Sequence, residues 1–312
     1  MGLFGGNYMK EGPGVDKNAP KKKGFFLFWD IVIQKFTKML GANMLHFILS
    51  VIYLAFIYII LSSFVIQGLG IDNAISSAAQ VGAADEASIA TVEQMLYFMI
   101  RAFITVFVFN YFGSGPVTAS YAYIMRCYTR GEHAWMWSDG WDKFKENLKQ
   151  SVPVLIIDIV VLILGLNAYS FYSAFAAEYA GTAAGTFMDM VRYFTIVVLF
   201  IYMMMHIYIY QIMVTYKCKL WELYKSAAMM TLAKLPMNLL LTVITAAGIL
   251  LIFWFIPNPM VSLIIYLVLG GILFRYPLEF YASRVIEKNI KAVKKAEKKN
   301  EAKITYLEDE TE

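Results

Sequence analysis

The chain has 312 residues, 59% hydrophobic and only 16% charged, with mean hydropathy +0.57 and formal net charge +4. A soluble domain carries about a quarter charged residues, so this composition excludes an ordinary water-soluble enzyme. It gives no expectation of a nucleic-acid partner and makes the lipid bilayer the first expected one.

Residues 1–23, rich in Gly, Pro and Lys, read as a disordered cytoplasmic leader. Phe26, Trp29, Ile33, Phe36 and Leu40 then set an apolar stripe at helical spacing, followed by Gly41 and Asn43. A bilayer crossing needs roughly 20 apolar residues, and the first such run covers 45–67. No small-residue cleavage site follows it, so it reads as a signal anchor retained in the chain.

An acidic loop, 68–93, leads to the second run, 95–112. Gly113-Ser114-Gly115-Pro116 interrupts the end of that run. Ser114 suits an N-cap and Pro116 the first turn of a new helix reaching about Arg130. The free amides at such a start can hold an anion, or can simply be capped.

Residues 137–150 read WSDGWDKFKENLKQ. Trp137, Trp141, Phe144 and Leu148 fall on one face of a helix, with Lys143, Glu146, Asn147 and Gln150 on the other. Ser138 or Asp139 can cap it, and Pro153 follows. The third run, 152–174, and the fourth, 190–214, are joined by an acidic loop, 175–189. Trp221, Tyr224, Ala228, Leu232 and Leu235 make a third stripe, followed by Pro236. The runs 237–256 and 260–282 close the series around the tight turn Pro257-Asn258-Pro259. The tail beyond 285 is basic from Lys288, then acidic, and is expected to be disordered at its end.

The expected architecture is all-α and polytopic, with six transmembrane helices. It reads as three units, each a cytoplasmic amphipathic helix followed by a transmembrane hairpin. Leader 1–23, membrane domain 24–285 and charged tail 286–312 divide the chain. The basic residues set the orientation. Seven precede the first run, five lie in 126–150, four in 215–235 and eight from Arg284 onward. The loops 68–93 and 175–189 have none and carry Asp72, Asp85, Glu86, Glu93, Glu178 and Asp189. Lys and Arg are retained on the cytoplasmic side, so both termini are expected inside a bacterial plasma membrane. Cys127 and Cys218 then face the cytoplasm as free thiols.

Asp158, Arg275 and His206 are the most informative polar residues within the runs. Asp158 lies about 9 Å from the cytoplasmic edge of the third, and Arg275 about 10 Å from the same edge of the sixth, at ~1.5 Å per residue. Buried charges are costly unless paired, so the two are expected to form an intramembrane ion pair, with a gate or ligand site as the functional alternative. His206, in mid-run, is either a proton relay or bonded to a neighbouring helix. Arg101 and Arg192 enter from the outer side, Arg192 with Asp189 beside it. No phosphate-cradling loop, nucleophile elbow, metalloprotease motif or metal-binding cysteine spacing occurs, so no catalytic residue, cofactor or metal is expected.

The leader GPGVDKNAPKKKGFFLFW, the turn GPVTASYAYIMR and the loop EHAWMWSDGWDKFKENLKQS together resemble the YesL-like membrane proteins of Firmicutes, over residues 11–285. The resemblance implies an integral membrane protein encoded beside ABC-type importers of oligosaccharides and plant- or starch-derived sugars. It supplies no catalytic or ligand residue. The first outer loop is longer than is usual for such proteins. The implied role is an accessory subunit of a carbohydrate ABC importer, touching its permease or ATPase subunits, with Trp137, Trp141, Phe144 and Leu148 as the partner-binding stripe. The same stripe can instead lie at the lipid headgroups or pack on this chain's other amphipathic helices. A sugar permease is one alternative. Its coupling-loop signature fails, because the residue four after Ala228 is Leu232 and not glycine. An independent transporter or membrane sensor is the other, and needs more mid-membrane polar groups than Asn110, Asn167 and His206.

Overall fold

The structure is a computed structural model, described for residues 24–256 and 258–290, and every regular element among these residues is a helix. The leader 1–23, the tail from 291 and Pro257 of the tight turn lie outside the described residues. Among the described residues, six helices are long and apolar enough to cross a membrane.

Helix α1, Gly24–Leu49, carries the first stripe and runs without interruption into the start of the first apolar run. A kink at Ser50 separates it from α2, Val51–Gly68, which contains a π turn at Ile57–Leu61. The loop 68–93 is not structureless. It holds an amphipathic helix, α3, Ile71–Gly82, whose Ile75 and Ala79 are buried. Gly70, at φ 66°, makes the turn into it in a conformation that favours glycine. Asp85 then caps α4, Glu86–Phe112, by accepting from Ser88 N at 2.9 Å.

The elbow at 113–115 leads to α5, Pro116–Arg130. Helix α6, Ser138–Glu178, has 41 residues, about 60 Å at ~1.5 Å per residue. The expected amphipathic segment 137–150 is therefore no separate helix; it is the first part of α6, which continues through Pro153. Proline removes one backbone bond there, but the flanking side chains fit the helix. Asn147 Nδ2 donates to the Lys143 carbonyl and Ser151 Oγ to that of Asn147. Neither Ser138 nor Asp139 caps it: Trp137 holds the cap position without a side-chain bond, and Asp139 Oδ2 accepts from Trp135 N at 2.8 Å.

Helix α7, Ala183–Met213, is buried at every residue from Met203 to Met213. Its inner half is the axis of the largest apolar core, which α4, α5, α6 and the last helix surround. Helix α8, Leu220–Ala233, breaks at Lys234 before α9, Leu235–Phe255, with Pro236 in the first turn. The last span, α10, runs over Met260–Ile290 and includes a π turn at Gly271–Arg275. The three amphipathic segments are thus joined to their spans in different ways. Their stripes agree in one respect, which is that they point outward: Trp29, Trp137 and Trp221 are exposed, while Val32, Gly140 and Leu223 on the same helices are buried.

Candidate functional site: a buried elbow between two charge clusters

The elbow Gly113-Ser114-Gly115 lies wholly inside the protein. Gly113 and Gly115 have φ of 65° and 64°, and a Cβ on Gly113 falls 2.3 Å from Thr118 Oγ1. Glycine is therefore required at 113 by both conformation and space. A helix that ends buried inside a protein leaves carbonyls that no water reaches. Arg275 and Tyr210 satisfy them here. Arg275 Nη1 donates to the carbonyls of Asn110 and Tyr111, the second at 3.1 Å, and Tyr210 Oη donates to that of Phe112 at 2.8 Å. A cation at a helix C-terminus also suits the helix dipole.

Ser114 does not act as the expected N-cap of α5. That position is Gly115, which has no side-chain bond. Ser114 N instead donates to Thr118 Oγ1 at 2.7 Å, and Ser114 Oγ pairs with Ser50 Oγ at 2.5 Å. His46 Nε2 reaches Thr118 Oγ1 at 2.9 Å, its ring stacked between Phe109 and Tyr121. The kink at Ser50 thus docks on the elbow.

Asp158 and Arg275 do not form the expected ion pair. Each is buried with a different partner. Arg275 Nε binds Glu279 Oε1 at 2.7 Å, one turn along α10. Glu279 Oε2 accepts from Gln211 Nε2 at 2.6 Å, and Gln211 also donates to the Ala122 carbonyl. Equal depth on two helices does not put two side chains on facing surfaces, whereas an i,i+4 spacing does. Glu279 and Gln211 complete this buried cluster without being expected from the sequence. The spacing of Glu279 from Arg275 is the signal that could have found the first; Gln211 has none.

Asp158 Oδ1 accepts from Tyr202 Oη at 2.6 Å and faces His206 Nε2 at 2.9 Å. His206 Nδ1 lies 3.1 Å from the Tyr202 carbonyl. A carbonyl only accepts, so Nδ1 carries a proton. One further proton then lies between Nε2 and Oδ1. The pair is either imidazolium with carboxylate or imidazole with carboxylic acid, and in both forms its net charge is zero, as burial without another counter-charge demands. Asp158 Oδ2 is buried and unpartnered. Tyr202 Oη continues to Tyr224 Oη on α8 at 3.4 Å, and Tyr224 is half-buried.

Of the other expected groups, Asn110 is buried with both amide atoms unpartnered, and Asn167 is exposed with its Nδ2 on the Ile163 carbonyl. Arg192 pairs with Asp189 at 2.6 Å, and Arg101 donates to Ser63 Oγ at 2.8 Å. Trp137, Trp141 and Phe144 line one wall of an apolar groove of about 80 Å³, whose other walls are Leu45 and Leu49 of α1 and Val117 of α5. Trp137 remains 68% and Trp141 50% exposed, so the groove does not cover them. Leu148 is half-buried outside that groove. Burial pushes the Cys127 and Cys218 thiols above their ordinary range.

The chain matches no family model, no curated protein and no solved structure.

Proposed function

We propose that this is a non-catalytic integral membrane protein acting as an accessory subunit of a carbohydrate ABC importer, with both termini cytoplasmic. One observation supports it most: Trp137 and Trp141 stand exposed on the rim of an apolar groove, beside Lys145 and Glu146. Large aromatics in such a place are the anchors that dominate interface energy. A helix face made only for anionic lipid is more uniformly basic. The resemblance to YesL-like proteins supplies the partner class, the permease or ATPase subunits. Co-purification from native membranes tests it. The wild type is expected to bring down importer subunits, and Trp137→Ala with Trp141→Ala to lose about tenfold or more of them. A folded, inserted variant that retains them in full overturns the docking role; a wild type without them overturns the accessory role.

A second reading, a proton-linked transporter in its own right, is favoured by the elbow. The buried elbow that ends α4 lies against the Asp158–His206 pair through Phe112, and a carboxylate–imidazole pair within spans is what a proton relay uses. Proton flux into proteoliposomes that vanishes in Asp158→Asn supports it; no flux with the wild type removes it.

A further inference from the structure

We propose that the cleft between the start of α1 and the end of α10 is a binding site for one anionic glycerophospholipid. The cleft holds about 710 Å³, and its walls are apolar: Phe28 and Trp29 of α1, Leu241 of α9, and Leu273 and Phe280 of α10. Its rim carries Arg284 and Lys288, the only charged side chains that line it among the described residues. The end of one acyl chain meets aromatic and aliphatic walls, and the phosphate meets two cations.

The walls are built rather than incidental. Phe28 stacks on Tyr276 at 5.5 Å and sits edge-on to Phe280 at 5.4 Å, which ties α1 to α10 behind the cleft. The Arg284 guanidinium lies 5.9 Å from the Phe280 ring centre, so its charge stands directly above the apolar wall. Glu287 draws on Arg284 only at 3.4 Å, because its other oxygen is held by Arg130 at 3.0 Å. The positive charge at the rim is therefore only partly spent within the protein. Leu273 and Met237 are 48% and 41% exposed, so the cleft opens sideways, where lipid enters. A basic pocket between helices at the membrane surface is a recognised form of headgroup site. A lipid without net negative charge satisfies the walls but does not offset Lys288 and the partly shared Arg284, which is why the occupant is anionic.

The test uses the full chain, purified in detergent, stripped of native lipid, and mixed with equal amounts of phosphatidylglycerol and phosphatidylcholine of identical acyl chains. Native mass spectrometry counts what stays bound. The wild type is expected to retain one phosphatidylglycerol with roughly fivefold preference, the effect of about one unshared basic side chain near an anionic headgroup. Arg284→Gln with Lys288→Gln is expected to bring the two lipids to parity, and Arg284→Lys to keep the preference, with unchanged thermal stability as the folding control. Equal retention by the wild type overturns the proposal, as does a preference that survives the double variant. Retention that appears only after residues 1–23 are removed also overturns it, and makes the protein's own leader the occupant.

Discussion

Arg275 caps a helix that ends buried inside the protein: its Nη1 donates to the Tyr111 carbonyl at 3.1 Å, on the last turn of α4. The same side chain is bound to Glu279. Removing it strands a buried carboxylate and two carbonyls at once. Breaking a buried pair from one side costs about 3–5 kcal/mol, so Arg275→Gln is expected to lower the yield and thermal midpoint severely. Glu279→Gln added to it removes the stranded charge, and part of the loss is expected to return. Simple addition of the two defects in thermal unfolding counts against the pair.

Asp158 belongs to a separate cluster, and this gives a second expectation. Asp158→Ala leaves the buried His206 and Tyr202 without their shared acceptor, at a cost of about 2–3 kcal/mol. Asp158→Asn is expected to be milder. Its amide nitrogen can donate one hydrogen to His206 Nε2 and the other to Tyr202 Oη. Because neither cluster bonds to the other, Asp158→Ala and Arg275→Gln are expected to add within about 0.5 kcal/mol. A coupling well above that places the two charges in one network after all.

The elbow predicts a position where almost nothing but glycine works. Gly113→Ala brings a Cβ to 2.3 Å from Thr118 Oγ1 at a φ of 65°. The conformational part alone costs about 1–2 kcal/mol. Trimming Thr118 to Ala is therefore expected to rescue only part of the loss, as read by the fraction of protein surviving a heat step in detergent. Full rescue means that contact alone, and not the backbone, forbids the side chain.

Six spans were legible because lipid forces an apolar run of a set length and leaves little else to choose. The elbow was legible because Gly113, Gly115 and Pro116 each restrict the backbone locally. The partners of Asp158 and Arg275 were not. Distance along a helix is written in the sequence, but which neighbour a side chain faces depends on how the helices are arranged around one another. The helix Ile71–Gly82 is not legible from the charges of its loop, although Ile75 and Ala79 are one helical turn apart. The helix that carries Trp141, Phe144 and Leu148 is legible from their spacing, while Trp137 stands at its cap. Its partner was not legible, since an outward apolar face looks the same whether lipid or protein covers it.

Orientation supplies the last prediction. The basic residues outside the spans lie in the segments before, between and after the spans that share one side, and the acidic loops alternate with them. A cysteine at Ala83, between α3 and α4, is expected to react with a membrane-impermeant maleimide added outside intact cells, and one at Lys145 only after the membrane is opened. The background must be silent for this to be read. Burial raises the Cys127 and Cys218 thiols, which leaves less reactive thiolate at neutral pH. In the folded wild type both are expected to label more slowly than after denaturation, so the probe can be placed in the native chain. Labelling of position 145 from outside with position 83 protected reverses the topology, and with it the cytoplasmic placing of Trp137, Trp141 and the importer contact.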